Sequence, residues 1–447
     1  MTLRPYQVEW IGRVQQAFRT HAAVLGQLPT GGGKTHTAAV GVIAPAVARG
    51  RRVLFLADLE EIVLDTVQRL RALEVPAAAI LAGRAEDPTC PVQVASLQTL
   101  QSWQRRSVAL PPADRVILDE CHGSSAACTR ELLAALRTSG ALLLGLTATP
   151  ARGDGQALDE FSAIVQGPQP AALVRAGALV PCEVLAPAEY LSGVAADPVD
   201  ALARYAPANA RAVIFAQTGA EAERTAAELT LRGQPCGVVL DSTPTEERRQ
   251  ARARLASGSL QHLATVRALQ KGFDAPLLDT AVLTSAGTIT GYLQMVGRVL
   301  RASPNKRSAL VLDLRGASIL HGLPLDDREW TLDGRQGPHA RPDIRVCRDC
   351  HATFPAAARC PRCGSRSLSD PRPIAVQHAE LRERSGIPLD VRAREAIAQA
   401  VRNIARRRPD LAPHQVQYAA EHAAPQWVRT ALNLPERKKR IRRAAAA

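Results

Sequence analysis

Ten short apolar runs with almost no polar alternation constrain the fold of this chain more than any other feature. The first five are Ala23–Leu28, Val53–Ala57, Val92–Ala95, Val116–Leu118 and Leu142–Leu146. The second five are Val213–Ala216, Val238–Leu240, Leu263–Val266, Ala281–Thr284 and Ala309–Leu312. A strand with one wet face alternates polar and apolar residues; a strand covered on both faces of a parallel sheet does not. Between the runs lie longer Ala-, Glu- and Arg-rich stretches of helical character, which makes each series a doubly wound α/β domain. The expected boundaries are 1–183 and 184–320. A Gly-, Pro-, Asp- and Arg-rich linker then covers 321–346, a cysteine cluster 347–366, and a basic, helical or partly disordered tail 367–447.

Length agrees, since 447 residues suit about three units of roughly 150. No apolar run approaches the roughly 18 residues of a membrane span. The N-terminus lacks the basic and apolar segments of a secretory signal. These absences lead to the expectation of a cytoplasmic protein with no membrane partner. The net charge of +14 suits a polyanionic partner, although a chain rich in Arg reaches it cheaply. Aromatic residues make up only 3%, which argues against a surface of base-stacking rings.

The first run leads into "LPTGGGKT" (28–35), and a helix-forming stretch closed by Gly50 follows. Strand, glycine-rich turn and helix are the context a phosphate-binding loop requires. Thr30, Gly31, Gly32 and Gly33 let backbone N–H groups approach phosphate oxygens, with the helix N-terminus adding positive charge. Lys34 reaches the β- and γ-phosphates and the Thr35 hydroxyl ligates Mg²⁺. Leu28 stands where the strict pattern has its first glycine.

A second feature completes the chemistry. The run at 116–118 ends in Asp119 and Glu120, two adjacent carboxylates at the tip of a buried strand. Strand C-termini of nucleotide-binding α/β domains face the phosphate crevice. Asp119 there holds Mg²⁺, the metal's charge relieves the repulsion, and Glu120 orients and deprotonates the attacking water.

In that order, "LPTGGGKT", "DECH" (119–122) and "TATP" (147–150) resemble the motifs of superfamily 2 helicases of the DEAD/DEAH type. "RPYQ" (4–7), "VASLQTL" (94–100), "IFAQT" (214–218), "TVRALQKGFDAP" (265–276) and "YLQMVGRVLR" (292–301) extend the resemblance to residues 1–316. With the downstream cysteines, the pattern looks most like bacterial and phage RadD-type repair ATPases. The resemblance implies two tandem RecA-like domains with ATP and Mg²⁺ between them. It places Arg4, Tyr6 and Gln7 at the adenine. It makes His122, Thr147 and Thr149 coupling residues, and sets Gly272 and Asp274 beside the ribose and γ-phosphate. Gln294, Arg298 and Arg301 then reach across the cleft, the two arginines stabilising charge on the transferred phosphoryl group.

Two departures stand out. The motif Ia segment reads "LADLEEIVLD", with Asp58, Glu60, Glu61 and Asp65 where a nucleic-acid backbone normally runs. Met295 occupies a motif VI position that carries Arg in many relatives.

Cys347, Cys350, Cys360 and Cys363 form two C-x-x-C turns, the spacing of a zinc ribbon; the reduced setting argues against disulfides. The other five cysteines read as reduced core residues. Arg345, Arg348, Arg359, Arg362 and Arg366 surround the cluster, and the tail ends in "ERKKRIRRAAAA". The expected activity is a nucleic-acid-stimulated ATPase, an ATP-dependent DNA helicase or translocase of replication or repair. The expected partner is single-stranded or branched DNA, with RNA as the alternative. The competing readings are a double-stranded DNA translocase or branch-processing and annealing motor, an RNA helicase, and a non-hydrolysing scaffold. No Asp/Glu-x-Lys nuclease constellation follows the second domain, which argues against a restriction-type motor with its own nuclease.

Overall fold

In the computed structural model each of the ten runs becomes a strand, with ends within two residues of those read from sequence. Described residues are 3–123, 127–138, 140–152, 156–187, 196–266, 277–285, 287–333, most of 344–369, and isolated positions from 397 to 417. Gly272, Asp274, Arg348, residues 334–343 and the terminal basic run lie outside them. The chain divides into compact units Met1–Pro371 and Arg372–Ala447; among the latter's described residues Ile397 and Val416 are buried.

The first sheet contains β1 (Ala23–Gln27), β2 (Val53–Ala57), β3 (Ala77–Leu81) and β4 (Arg84–Ala85). It continues with β5 (Val92–Ser96), β6 (Arg115–Leu118), β7 (Leu142–Thr147) and β8 (Ala163–Gln166). Their order is β4-β3-β5-β2-β6-β7-β1-β8, parallel throughout except for the β3–β4 hairpin. One face is covered by α1 (Pro5–Ala17), the run α2 (Lys34–Ala38), π turn Ala39–Ile43 and α3 (Ala44–Val47), and α4 (Glu60–Ala72). The other is covered by α5 (Leu97–Arg105) and α6 (Ala127–Arg137). Burial on both faces explains the absence of alternation: β1, β2, β3 and β5 are buried at every position.

After α7 (Pro170–Arg175) the chain enters the second sheet at β9 (Cys182–Leu185). There follow β10 (Ala212–Phe215), β11 (Cys236–Val239), β12 (His262–Thr265), β13 (Thr280–Leu283) and β14 (Ala309–Asp313). The helices of this half are α8 (Pro198–Tyr205), α9 (Gly219–Leu231), α10 (Thr245–Ser257), α11 (Ile289–Gly297) and α12 (Ala317–His321). Strands β11-β12-β10-β13-β14-β9 are parallel. The cysteine cluster then extends this sheet. Its strands β15 (Ile344–Cys347), β16 (Ala352–Pro355) and β17 (Leu368–Ser369) add antiparallel beside β9 in the order β16-β15-β17.

The described part of the segment expected as a linker, 321–333, runs back onto the first domain. Gln166 accepts the Trp330 N–H (3.2 Å) and donates to the Trp330 carbonyl (2.9 Å). Gln169 treats Arg328 the same way, at 3.0 and 2.9 Å. Arg328 is buried and donates to the carbonyls of Asp326, His321 and Leu323. Irregular backbone can be buried there because its polar groups find partners in side chains.

His262 in β12 is buried, and its Nδ1 accepts the Ala212 N–H at 3.1 Å. Burial pushes its pKa down from 6.5 to about 4. Between those values an unfolded chain binds a proton that the folded one refuses, so stability falls as pH drops from about 6.5 towards 4, by on the order of 3 kcal/mol. Denaturant unfolding of the second domain across that range should show the slope. His262→Asn, which offers an amide oxygen in place of Nδ1 and does not titrate, should lose this part of it. An unchanged slope in His262→Asn would assign the acid sensitivity elsewhere.

Candidate active site and candidate metal centre

Strand order brings the sequence motifs together. Strand β7 lies between β6 and β1, so its tip, Thr147, sits between the acid pair after β6 and the glycine loop after β1. The loop turns through left-handed backbone at Gly31 (φ 88°) and Gly33 (φ 84°), a region that glycine enters without strain. Gly33 also has a close neighbour, since a Cβ there would lie 2.6 Å from Gln7 Nε2. The α1 residues hold the loop from behind. Tyr6 Oη and Gln7 Nε2 both donate to the Gly32 carbonyl, at 3.1 and 3.2 Å, and Gln7 Oε1 accepts the Arg4 N–H at 2.9 Å. Of the three residues expected at the adenine, Arg4 lines the adjoining cavity, whereas the Gln7 amide is engaged at both ends within the protein.

That cavity, of about 360 Å³, is lined by Thr30, Gly31, Gly33, Lys34, Thr35, Asp119 and Glu120 from the first domain. The second domain contributes Gln294, Arg298 and Arg301. Lys34 Nζ stands 3.7 Å from Glu120 Oε1, and His122 Nδ1 is 3.3 Å from Glu120 Oε2. His122 Nδ1 also lies 3.1 Å from Thr147 Oγ1, and its Nε2 is 3.4 Å from Gln294 Nε2. Thr147 Oγ1 in turn accepts the Thr149 N–H and donates to the Thr149 carbonyl. A continuous polar chain therefore links the acid pair, the tip of β7 and helix α11 of the second domain.

The two carboxylates differ in their ionisation. Burial and then the charge of Glu120 raise Asp119 to about 7, against the weaker pull of Lys34. Burial opposes ionisation of Glu120 too, but Lys34, His122 and Arg298 outweigh it and hold Glu120 well below the usual carboxylate range. An ionised Glu120 is competent as a base at neutral pH. An Asp119 whose charge is opposed by its neighbour is a donor that a divalent cation stabilises. Together with the Thr35 hydroxyl, this donor set fits Mg²⁺.

The domains meet closely at this site. A Cβ on Gly297 would stand 2.3 Å from Thr30 Cγ2, so glycine in α11 allows the helix to approach the phosphate loop. Thr290 Oγ1 donates to the Ala151 carbonyl (3.0 Å), and the Arg301 backbone bridges Leu179. Met295 is buried in the core of the second sheet, where a guanidinium would need a partner.

Sequence reasoning missed three supporting residues. Gln27 donates to the Ala148 carbonyl (3.1 Å) and steadies the segment after β7. Arg152 Nη2 donates to both carboxylate oxygens of Glu160, at 2.9 and 2.8 Å, in an ion pair of buried side chains that fixes the chain beyond Pro150. Arg152 directly follows "TATPA", but nothing in the intervening sequence marks Glu160 as its partner.

The four cysteines come together as well. All four Sγ atoms lie within 4.8 Å of one another, with Cys347–Cys363 at 3.6 Å and Cys350–Cys360 at 3.5 Å. A tetrahedron with metal–sulfur bonds of about 2.3 Å has edges of about 3.8 Å, so the cluster fits zinc. Cys347 and Cys360 are buried in the second domain's core, and Arg362 pairs with Glu183 of β9 at 2.9 Å. His351 packs in a T-shaped contact with Tyr205 and is not one of the clustered ligands.

Two stretches of the chain match known family models. Residues 1–152 match the family described as the res subunit of type III restriction enzymes, and residues 198–303 match the helicase conserved C-terminal domain. These findings support a superfamily 2 helicase. A curated relative is "Putative helicase 22" of Sulfolobus islandicus filamentous virus. It is 27% identical over 245 residues, covering 45% of this chain and 42% of the viral protein. Among solved structures, the DNA-bound ATP-dependent type ISP restriction-modification enzyme LlaBIII superposes with a TM-score of 0.54 at 15% identity, over 72% of this chain and 29% of that one. S. cerevisiae Dbp5 bound to RNA and ADP BeF3 gives 0.52 at 17% identity, over 72% and 90%. The chain thus spans under half of the viral protein and under a third of the restriction enzyme. The fold is that of two tandem RecA-like domains. Helicase families of this kind bind ATP and Mg²⁺ and hydrolyse ATP. Among the described residues no helix is long and apolar enough to cross a membrane.

Proposed function

We propose that the chain is a nucleic-acid-stimulated ATPase that moves along or remodels DNA as a helicase or translocase, of the RadD-like repair type and acting in the cytoplasm. The observation that carries this reading is the single cavity lined by Lys34, Glu120, Gln294, Arg298 and Arg301 from both domains. Arg4 would face the adenine, the glycine loop and Lys34 would hold the phosphates, and Thr35 and Asp119 would hold a Mg²⁺ that supplies positive charge to the phosphate oxygens. Glu120 takes the proton of the attacking water. Arg298 and Arg301 stabilise the developing charge once the domains close. Closure and reopening of the cleft with each turnover drives movement along a strand.

DNA is favoured over RNA by the resemblance to repair ATPases and by the four-cysteine module with Arg345, Arg359 and Arg366 around it. LlaBIII is a DNA-bound relative in fold, and Dbp5 an RNA-bound one. ATP turnover across single-stranded DNA, duplex, forked DNA and RNA tests the assignment. Stimulation by single-stranded or forked DNA is expected; stimulation by RNA alone would overturn it, and duplex-only stimulation would point to a translocase that does not separate strands.

Zinc is the proposed metal of Cys347, Cys350, Cys360 and Cys363. Metal analysis should find about one zinc per chain, since one four-thiolate site binds one ion. Cys347→Ser should release it and loosen the β9 edge of the second sheet, because Cys347, Ala352, Phe354 and Cys360 share the core that contains Leu185 and Leu312. A visible iron–sulfur chromophore, or a metal-free protein with an intact second domain, would refute the zinc assignment.

A further inference from the structure

The acidic residues of α4 stand opposite an arginine-rich helix of the other domain. Glu61 Oε2 lies 3.6 Å from Arg252, Glu61 Oε1 lies 3.9 Å from Arg248, and Asp65 lies 3.7 Å from Arg252. Helix α4 is rooted in the first domain's core through Val63, Val67 and Leu70, whereas α10 is rooted in the second through Leu255. The contacts therefore join two separately packed bodies. Asp65 also lines the cavity that holds Lys34 and Arg298.

We propose that Glu61 and Asp65 with Arg248 and Arg252 form a charge clasp whose members are positioning residues for ATP hydrolysis. This rests on reading the cleft as the ATPase site. The clasp draws α10 towards α4, and with it the whole second domain, so that Arg298 and Arg301 are presented to the phosphates. Two observations give it a direction. All three distances fall within ion-pair range but beyond the roughly 2.7–2.9 Å of a charge-assisted hydrogen bond. The side chain of Glu61 is only 12% exposed, and its Oε1 is buried and accepts no hydrogen bond among the described residues. Narrowing the cleft by about 1 Å would turn the two Arg252 ion pairs, to Glu61 and Asp65, into direct hydrogen bonds, while Arg248, whose Nε–H serves Thr243, contributes its charge. The clasp contacts therefore favour closure of the cleft.

The arginines are not equivalent. Arg248 is anchored in its own domain, donating to the carbonyls of Thr243 (2.8 Å), Leu240 (3.2 Å) and Asp241 (2.7 Å), so replacing it would disturb the turn before α10. Arg252 is the cleaner probe. The clasp also accounts for two of the four acids in the motif Ia departure: Glu61 and Asp65 are paired with arginines of the second domain.

The test compares Glu61→Gln, Arg252→Gln, Arg252→Lys and the double variant Glu61→Gln/Arg252→Gln in the full chain. ATP turnover is measured with saturating single-stranded DNA, and affinity with a fluorescent non-hydrolysable ATP analogue. Each Gln variant is expected to lower kcat about fivefold with little change in analogue affinity, the scale of a partly buried ion pair. The double variant should fall no further than the singles, and Arg252→Lys, which keeps the charge, should retain most of the rate. Independent multiplication of the two effects, an equal loss in Arg252→Lys, or analogue affinity falling in step with kcat would overturn the clasp. Glu120→Gln is run alongside: if it turns over ATP at the wild-type rate, the ATPase reading falls and the clasp with it. If it is inactive while the clasp variants multiply independently, the clasp alone falls.

Discussion

Glu120→Gln is expected to bind Mg-ATP with at least wild-type affinity while turning it over about 10³-fold more slowly, the loss typical of a missing general base. The geometry separates the two effects. Glu120 does not cradle the phosphates; it sits 3.7 Å from Lys34 and 3.3 Å from His122 at the tip of β6. Removing its charge frees Lys34 for the phosphates and relieves Asp119, whose ionisation Glu120 opposes. Binding should therefore survive or improve. An amide cannot take a proton from water at neutral pH, so the chemical step is lost. Phosphate release gives the rate and analogue binding gives the affinity; turnover within tenfold of wild type would remove Glu120 from the role of base. Lys34→Ala should show the reverse pattern, losing affinity first because phosphate charge goes unpaired.

What the sequence could reveal follows from the range of the interactions involved. The ten strands were legible because burial on both faces is written locally, as runs with little alternation. Strand β3, "AAAIL", was not, because its alanines favour helix and only its place between β4 and β5 makes it a strand. The glycine loop and the acid pair were legible because each needs a fixed residue type at a fixed position. Their neighbourhood was not, since it depends on β7 lying between β6 and β1. Glu61 and Asp65 of α4 looked misplaced because the arginines that neutralise them belong to a helix of the other domain. The cysteine spacing indicated a metal site; its fusion to the second sheet depends on β16 pairing with β9, which no local pattern announces. The 321–333 segment reads as a linker by composition, yet Gln166 and Gln169 bind its backbone through side-chain amides that carry no special signature.

Arg298→Ala is the test of whether the site is truly shared between domains. Arg298 caps α11 at its C-terminal end, is 8% exposed, and reaches the cavity beside Glu120. The loop, Lys34, Thr35 and Asp119 all lie in the first domain, so the variant should still bind Mg-ATP. Turnover should fall by about 10³-fold or more, the range found when a finger arginine is removed from phosphoryl transfer. Arg298→Lys should recover little, because a single ammonium cannot reproduce a planar fork of donors. Loss of the Arg298 charge also removes one of the groups that keep Glu120 ionised. That contribution can be separated, because Lys at 298 would restore the charge and with it this part of the rate, though not the fork. Gly297→Val supplies an independent obstruction: its side chain would collide with Thr30 and hold α11, and Arg298 with it, off the phosphate loop without altering either arginine chemically. If both Arg298→Ala and Gly297→Val hydrolyse ATP at the wild-type stimulated rate, the first domain acts alone and the cleft between the domains is not where hydrolysis is completed.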